Sequence, residues 1–180
     1  MDEEKKIEEI ATYISTCPVC KKTFVVKDYK YNVPYYGDVI ITVAECENCG
    51  YKYRDVLVAS GNEPRKVVYR VEEPGDDNAL LIKNSTCRIE IPELGVSIEP
   101  GAYSQGYITT VEGLILEIIE VADHLCRQEN SPREKCNEVK DLLEKARKNE
   151  TPYTVIIYDN IGVCDIISSR KKPIYEKLNT

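Results

Sequence analysis

Cys17-Pro18-Val19-Cys20, then 25 residues, then Cys46-Glu47-Asn48-Cys49-Gly50 is the stretch that decides how this chain is built. A Cys-x2-Cys turn sets two sulfurs on one side of a tight loop, and two such turns supply the four tetrahedral thiolates of a structural zinc site. Gly50 can take the left-handed conformation that closes a knuckle. One pair alone would fit a redox motif, but two pairs flanking a hairpin rarely serve that chemistry. A catalytic zinc keeps one coordination position open, commonly beside histidines, whereas four thiolates close the shell. The expected cofactor is therefore one structural Zn²⁺ held by Cys17, Cys20, Cys46 and Cys49. A unit of roughly 40 residues has too little core to fold alone, and metal binding of order 10 kcal/mol supplies the deficit.

Working outward, Thr23 to Tyr31 and Val39 to Ala44 are β-rich runs separated by the turn-prone Asn32-Val33-Pro34-Tyr35-Tyr36-Gly37-Asp38. They predict a hairpin with a knuckle at each end, followed by a third strand over Tyr51 to Val58. Upstream, Ile7, Ile10, Ala11 and Ile14 recur at helical spacing and predict a short amphipathic helix. Ser60-Gly61-Asn62-Glu63-Pro64 reads as a linker, so residues 1–60 form a helix plus zinc ribbon and residues 61–180 a second domain. In that domain Lys66 to Val71, Ala79 to Lys83, Cys87 to Ile91 and Val96 to Glu99 are short β-type runs broken by turn residues, the spacing of a sandwich or barrel. Thr109 with Glu112 forms a capping box opening a helix to about Arg127, and Ser131 with Glu134, plus Pro132 at the first helical position, opens a second. The pair predicts an antiparallel helical hairpin inserted at about 109–149. Tyr153 to Tyr158 and Val163 to Ile167, flanking Asp159-Asn160-Ile161-Gly162, predict a returning β-hairpin. The fold class is thus mainly β with α.

Composition narrows the chemistry. With 24 Lys+Arg against 31 Asp+Glu the net charge is -7, which repels a phosphate backbone over most of the surface. No apolar run is long enough to span a membrane, and the first residues lack the apolar stretch of a secretory signal, so a soluble, cytoplasmic protein is expected. Cys87, Cys126, Cys136 and Cys164 are scattered among apolar or helical residues and read as non-ligands behaving as small hydrophobes; a Cys126 to Cys136 bridge stays open as the alternative. The chain holds one histidine, His124, so neither a two-histidine iron site nor a Ser-His-Asp triad is supported, and no phosphate-binding Gly-rich loop is present. Glu72-Glu73 and Asp76-Asp77 flank a Pro-Gly turn and read as solvated loop. Within the ribbon, Lys21, Lys22, Lys27, Lys30, Lys52 and Arg54 are balanced by Asp28, Asp38, Glu45, Glu47 and Asp55, and four thiolates on Zn²⁺ add negative charge. That balance favours a protein partner, and no enzyme activity is expected.

Five segments together resemble the ZPR1 zinc-finger family: Cys17-Pro-Val-Cys20, Val33-Pro34-Tyr35-Tyr36-Gly37-Asp38-Val39-Ile40, Cys46-Glu-Asn-Cys49-Gly50-Tyr51, Ile91-Pro92-Glu93-Leu94, and Thr109-Thr110-Val111-Glu112-Gly113-Leu114. The resemblance covers nearly the whole chain from Cys17. It implies a four-cysteine zinc ribbon joined to a double-stranded β-helix domain with an inserted helical hairpin. Eukaryotic members carry two such modules in tandem, bind translation elongation factor 1A and assist its folding; this chain has one module, resembling an archaeal form. The segment usually Gly-rich before Thr-Thr-Val-Glu-Gly is here Ala102-Tyr103-Ser104-Gln105-Gly106-Tyr107-Ile108.

Partner contacts are expected at Pro34, Tyr35 and Tyr36, where tyrosines at a hairpin tip can anchor a protein surface, and at Thr109, Thr110 and Glu112. For Tyr36 and its neighbours, packing on the second domain is the competing role; for Thr109 and Glu112 it is helix capping. The leading expectation is a zinc-dependent binding or folding factor for elongation factor 1A. The alternative is a nucleic-acid-binding zinc ribbon in transcription or RNA handling.

Overall fold

In the computed structural model, residues 7–33, 36–58, 63–101, 104–128 and 131–178 are described. Strands β1 (Glu8–Thr16), β2 (Thr23–Val33), β3 (Gly37–Glu45) and β4 (Lys52–Val58) form one antiparallel sheet in that order. Because β2 and β3 are antiparallel, Val25 lies opposite Glu45 and Val33 opposite Gly37. Both cysteine turns therefore fall at one end of the sheet and the Val33 to Gly37 turn at the other.

The expected N-terminal helix is a strand. β1 pairs with β2 along its length, with a bulge between Glu9 and Ala11, and all nine of its residues are exposed. Its apolar spacing thus reports no buried face, and Thr12, Tyr13, Ile14 and Thr16 favour the pleated conformation. The expected linker at 60–64 lies largely outside the described residues.

The remaining strands build a jelly roll. β5 (Arg65–Val71), β6 (Leu80–Lys83), β7 (Arg88–Ile91), β8 (Val96–Ile98), β9 (Tyr107–Thr110), β10 (Tyr153–Asp159), β11 (Asp165–Ile167) and β12 (Ile174–Lys177) divide into a five-stranded sheet, β12-β5-β10-β7-β8, and a three-stranded sheet, β11-β6-β9. β10 alternates buried and half-buried along its length, and its Val155 and Ile157 join Val67, Ile89, Leu81 and Ile166 in one core. The expected closing hairpin does not form, since β11 pairs with β6 in the other sheet. The Asp159 carboxylate redirects the chain, accepting from the backbone N–H groups of Ile161, Gly162 and Cys164. β9 and β12 are additions to the strands expected from the sequence.

Helices α1 (Val111–Cys126) and α2 (Arg133–Arg147) are inserted between β9 and β10. Val111, Leu114, Ile115, Leu143 and Ala146 close one end of the core. A disulfide joins Cys126 to Cys136, and Lys140 pairs with Asp123 at 2.6 Å, so the helices run antiparallel. The α1 cap is Thr110 rather than Thr109: its hydroxyl accepts from the Gly113 N–H at 3.0 Å. Thr109 has a different job, filling the space where a Cβ on Gly113 would sit 2.2 Å from its hydroxyl. Before α2, Pro132 is the cap position, and the Ser131 hydroxyl donates back to the Leu125 carbonyl instead of capping. Cys87 and Cys164, expected as free thiols, are joined by a disulfide across 77 residues; both are fully buried, which suits the hydrophobe reading equally well.

The three-stranded sheet is covered on both faces. Leu81 and Ile166 point into the main core, while Ile82 packs with Val33, Val39 and Val56 of the ribbon, flanked by Leu80, Ile108 and Ile167. Beside this apolar plug, the buried Asp55 carboxylate accepts from the Ser85 hydroxyl at 2.7 Å, the Ser85 N–H at 3.1 Å and the Val56 N–H at 2.9 Å. Asn84 donates across the same seam to the Val56 carbonyl at 2.7 Å. Gly106 runs against this cluster, donating to the Arg54 carbonyl. A Cβ there would sit 2.2 Å from Asp55 Oδ1 and 2.6 Å from the Val56 nitrogen.

Asp76, expected as solvated loop, is only 2 % exposed. It accepts from Lys171 Nζ at 2.6 Å, Arg170 Nε at 3.1 Å and the Glu72 and Glu73 N–H groups, tying the C-terminal segment to the β5 end. Burial alone would raise its pKa, but Lys171, the two N–H groups and Arg170 together hold it well below the usual carboxylate range.

Gly106→Ala should cost about 2 kcal/mol or more through overpacking, read as a lowered denaturation midpoint. Gly95→Ala, at φ 64 in open space, should cost about 1 kcal/mol. Because the folded pKa of Asp76 lies below its unfolded value, its contribution is complete at neutral pH and is lost as pH falls below about 4. Urea midpoints of the wild type should drop over that range, and Asp76→Asn should flatten the drop while lowering stability at pH 7.

Candidate metal centre

The two cysteine turns repeat one local geometry. The Cys17 N–H donates to the Lys22 carbonyl at 2.8 Å and the Cys46 N–H to the Tyr51 carbonyl at 2.8 Å, while Lys21 and Gly50 donate back to the Cys17 and Cys46 carbonyls. Lys21 and Gly50 occupy equivalent places, each following the second cysteine, and both are left-handed, φ 62 and 72. Gly50 adopts this freely; at Lys21 the knuckle imposes it on a side-chain-bearing residue. Lys21 Nζ then reaches the Pro18 carbonyl of the same turn.

Cys17 Sγ lies 3.6 Å from Cys49 Sγ, and Cys20 Sγ 3.6 Å from Cys46 Sγ; all four sulfurs are within 4.8 Å of one another. A tetrahedron with Zn–S near 2.3 Å has sulfurs about 3.8 Å apart, so the set fits one zinc ion. Cys17 and Cys46 are buried, Cys20 is half-buried and Cys49 is exposed. The Lys22 backbone N–H, with help from Asn48 and the neighbouring thiols, holds Cys20 down to about 6. For Cys49 the Tyr51 backbone N–H acts downward, but burial and the other three sulfurs outweigh it and push the group up to about 12. Four thiols so close cannot all ionise without a cation, and a divalent metal relieves that repulsion. Phe24 and Tyr51 pack edge to face beside the cluster, centroids 6.3 Å apart. His124 sits exposed near the end of α1. A second grouping, Cys87, Asp159 and Cys164, is also close, but its sulfurs are bonded to each other and offer no thiolate.

Two family models match the chain, the ZPR1 zinc-finger domain over residues 9–64 and the ZPR1 jelly-roll domain over residues 76–180. This chain belongs to the ZPR1 family. An uncharacterised ZPR1-like protein of Pyrococcus horikoshii is 32% identical over 176 residues, covering 93% of this chain and 78% of that protein. Another from Methanocaldococcus jannaschii is 32% identical over 155 residues, covering 84% and 78%. The zinc finger chaperone zpr1 of Schizosaccharomyces pombe is 30% identical over 162 residues, 86% of this chain and 35% of that longer protein.

The other ZPR1-like positions are scattered. Pro34 and Tyr35 lie outside the described residues. Tyr36 is half-buried, and its hydroxyl donates to the Val163 carbonyl of the jelly roll. Thr109 and Thr110 are engaged at the α1 start, while Glu112 is exposed in its first turn. Sequence reasoning missed Asp55, Asn84 and Lys83 at the seam; the departure of residues 102–108 from a Gly-rich pattern, with Gly106 retained, was the available signal.

The protein should carry one zinc per chain by elemental analysis. Chelation, or Cys17→Ser, should abolish the ordered amide resonances of β1 to β4 while the jelly-roll core, complete without ribbon residues, keeps its own.

Proposed function

We propose that this chain is a zinc-stabilised protein-binding factor that binds elongation factor 1A and assists its folding. The observation that carries this reading is the joint match of ribbon and jelly roll to the ZPR1 models, in a family with a member named a zinc finger chaperone. The chemistry is consistent with it. Four thiolates saturate zinc and leave it structural, and the single histidine stands on an exposed helix end, away from the sulfur cluster's turns. The choice of elongation factor 1A rests on the family resemblance of the quoted motifs. A client made on cytoplasmic ribosomes puts the activity in the cytoplasm. The expected contacts divide: Tyr36, Thr109 and Thr110 have intramolecular partners, Glu112 is exposed, and Pro34 and Tyr35 stay as contacts proposed from the sequence alone.

Immobilised, zinc-loaded protein should retain purified elongation factor 1A and raise its refolding yield, and the chelated protein should do neither. Absence of retention, with and without guanine nucleotide, would refute the assignment; RNA or DNA binding that weakens steeply with salt would favour the nucleic-acid reading.

A further inference from the structure

Two cavities meet where the ribbon joins the jelly roll. One, of about 580 Å³, lies over the ribbon sheet on Val25 and Val43; the other, of about 500 Å³, lies between β8 and α1, walled by Ile98, Ile118 and Val121. They share Arg54 and Gln105. Of the cations on their walls, Lys27 is paired with Glu9 and Lys52 with Glu45. Arg54 and Lys83, at the junction, have no carboxylate within ion-pair distance among the described residues. Lys83 is only 3 % exposed, and its ammonium touches neutral acceptors: the Gln105 carbonyl at 3.2 Å, the Asn84 carbonyl at 3.3 Å and the Ser104 hydroxyl at 3.4 Å. A buried ammonium so placed is solvated by dipoles and left without a counter-ion. Glu117 also lines the second cavity, beyond ion-pair distance of either cation, so Arg54 and Lys83 leave an excess of one positive charge at the junction, with apolar walls on either side.

We infer that this seam is a docking groove for an extended peptide segment of a client, in which one acidic side chain meets Arg54 and Lys83 and apolar side chains on either side fill the two cavities. An extended chain places same-face side chains roughly 7 Å apart, so a short segment can present a carboxylate to the junction and apolar groups to both walls. A nucleic-acid backbone would call for a row of cations along the groove, and here the unpaired ones are confined to its middle. The inference rests on the reading that the chain binds proteins and says where, and by what chemistry, it does so. The groove exists only while the ribbon is held against the jelly roll, because Arg54 comes from β4 and Lys83 from β6.

The test uses the zinc-loaded full chain, labelled synthetic peptides carrying one Asp between Leu and Val residues, the same peptides with Asn, and intact elongation factor 1A. The Asp peptides should bind, weaken with salt, and lose about tenfold in affinity on Asp-to-Asn exchange. Arg54→Glu should cause a similar loss; its side chain is exposed and makes no ion pair among the described residues, so zinc content and circular dichroism should stay those of the wild type. Val121→Lys should weaken binding from the other wall, and Lys83→Gln adds a second probe of the junction if it folds. Equal affinity for Asp and Asn peptides, no peptide binding, or binding untouched by Arg54→Glu would overturn the groove. So would an Arg54-dependent dimer in sedimentation, or an oligonucleotide that outcompetes the peptides. If elongation factor 1A is retained equally by wild type and Arg54→Glu, the groove is wrong and the client stands. If peptides bind through Arg54 but the factor is not retained, the groove stands and the client is wrong.

Discussion

The ribbon sheet has too little core of its own, and everything else about its placement follows from how its two ends are held. β1 is exposed throughout, and the fully buried apolar side chains of the ribbon are few: Cys17 and Cys46 at one end, Val33, Val39 and Val56 toward the other, with Val26 and Ala44 nearly buried between them. Burying each of the three valines contributes roughly 1.5–3 kcal/mol as an upper estimate. That sum alone is small against the backbone entropy of ordering four strands. Metal binding at the sulfur end supplies the difference, and the jelly roll supplies a wall for the valine end. The ribbon is thus a lever clamped at both ends rather than an independent domain on a string.

The clamp at the jelly-roll end is polar as well as apolar, which fixes its angle. A hydrophobic plug is non-directional and tolerates sliding, whereas Asp55 accepts from its own strand β4 and from the β6–β7 turn at set distances. Asn84 adds the reciprocal bond to the Val56 carbonyl. A buried carboxylate so satisfied resists displacement, because any rotation would strand it. Gly106 lets the chain approach this cluster closely enough to bond the Arg54 carbonyl.

The features legible in the sequence were those whose cause is local. The spacing within each cysteine pair, the β-type run Tyr153 to Tyr158 and the stripes of both helices each arise within a short stretch of chain, and each matches the structure. β1 was misread because a strand exposed on both faces carries no burial period, so Ile7, Ile10, Ala11 and Ile14 mimicked a helix. Thr109 and Thr110 are adjacent, and only the Gly113 contact tells which one caps. The Cys87–Cys164 bridge spans 77 residues and left no spacing to read. Asp55, Lys83 and Gly106 stand far apart in sequence, and their roles exist only once the two domains are docked.

The same docking explains how an acidic protein can hold a cationic site without titrating it away. Several surface cations elsewhere are matched by nearby carboxylates, as Lys30 is by Asp38 and Lys66 by Glu176. At the seam the backbone supplies the acceptors instead: Lys83 is satisfied by carbonyls and a hydroxyl, and Asp55 directs its oxygens to N–H and O–H donors rather than to Lys83. Burial pulls the Lys83 pKa down, with Glu117 and Asp55 acting at a distance in the opposite direction. An incoming carboxylate would reverse that pull, so the free energy stored in leaving the ammonium unpaired becomes available on binding. The tie to zinc is indirect: Arg54 stands on β4, which leads directly out of the Cys46 to Cys49 knuckle through the bond between the Cys46 N–H and the Tyr51 carbonyl.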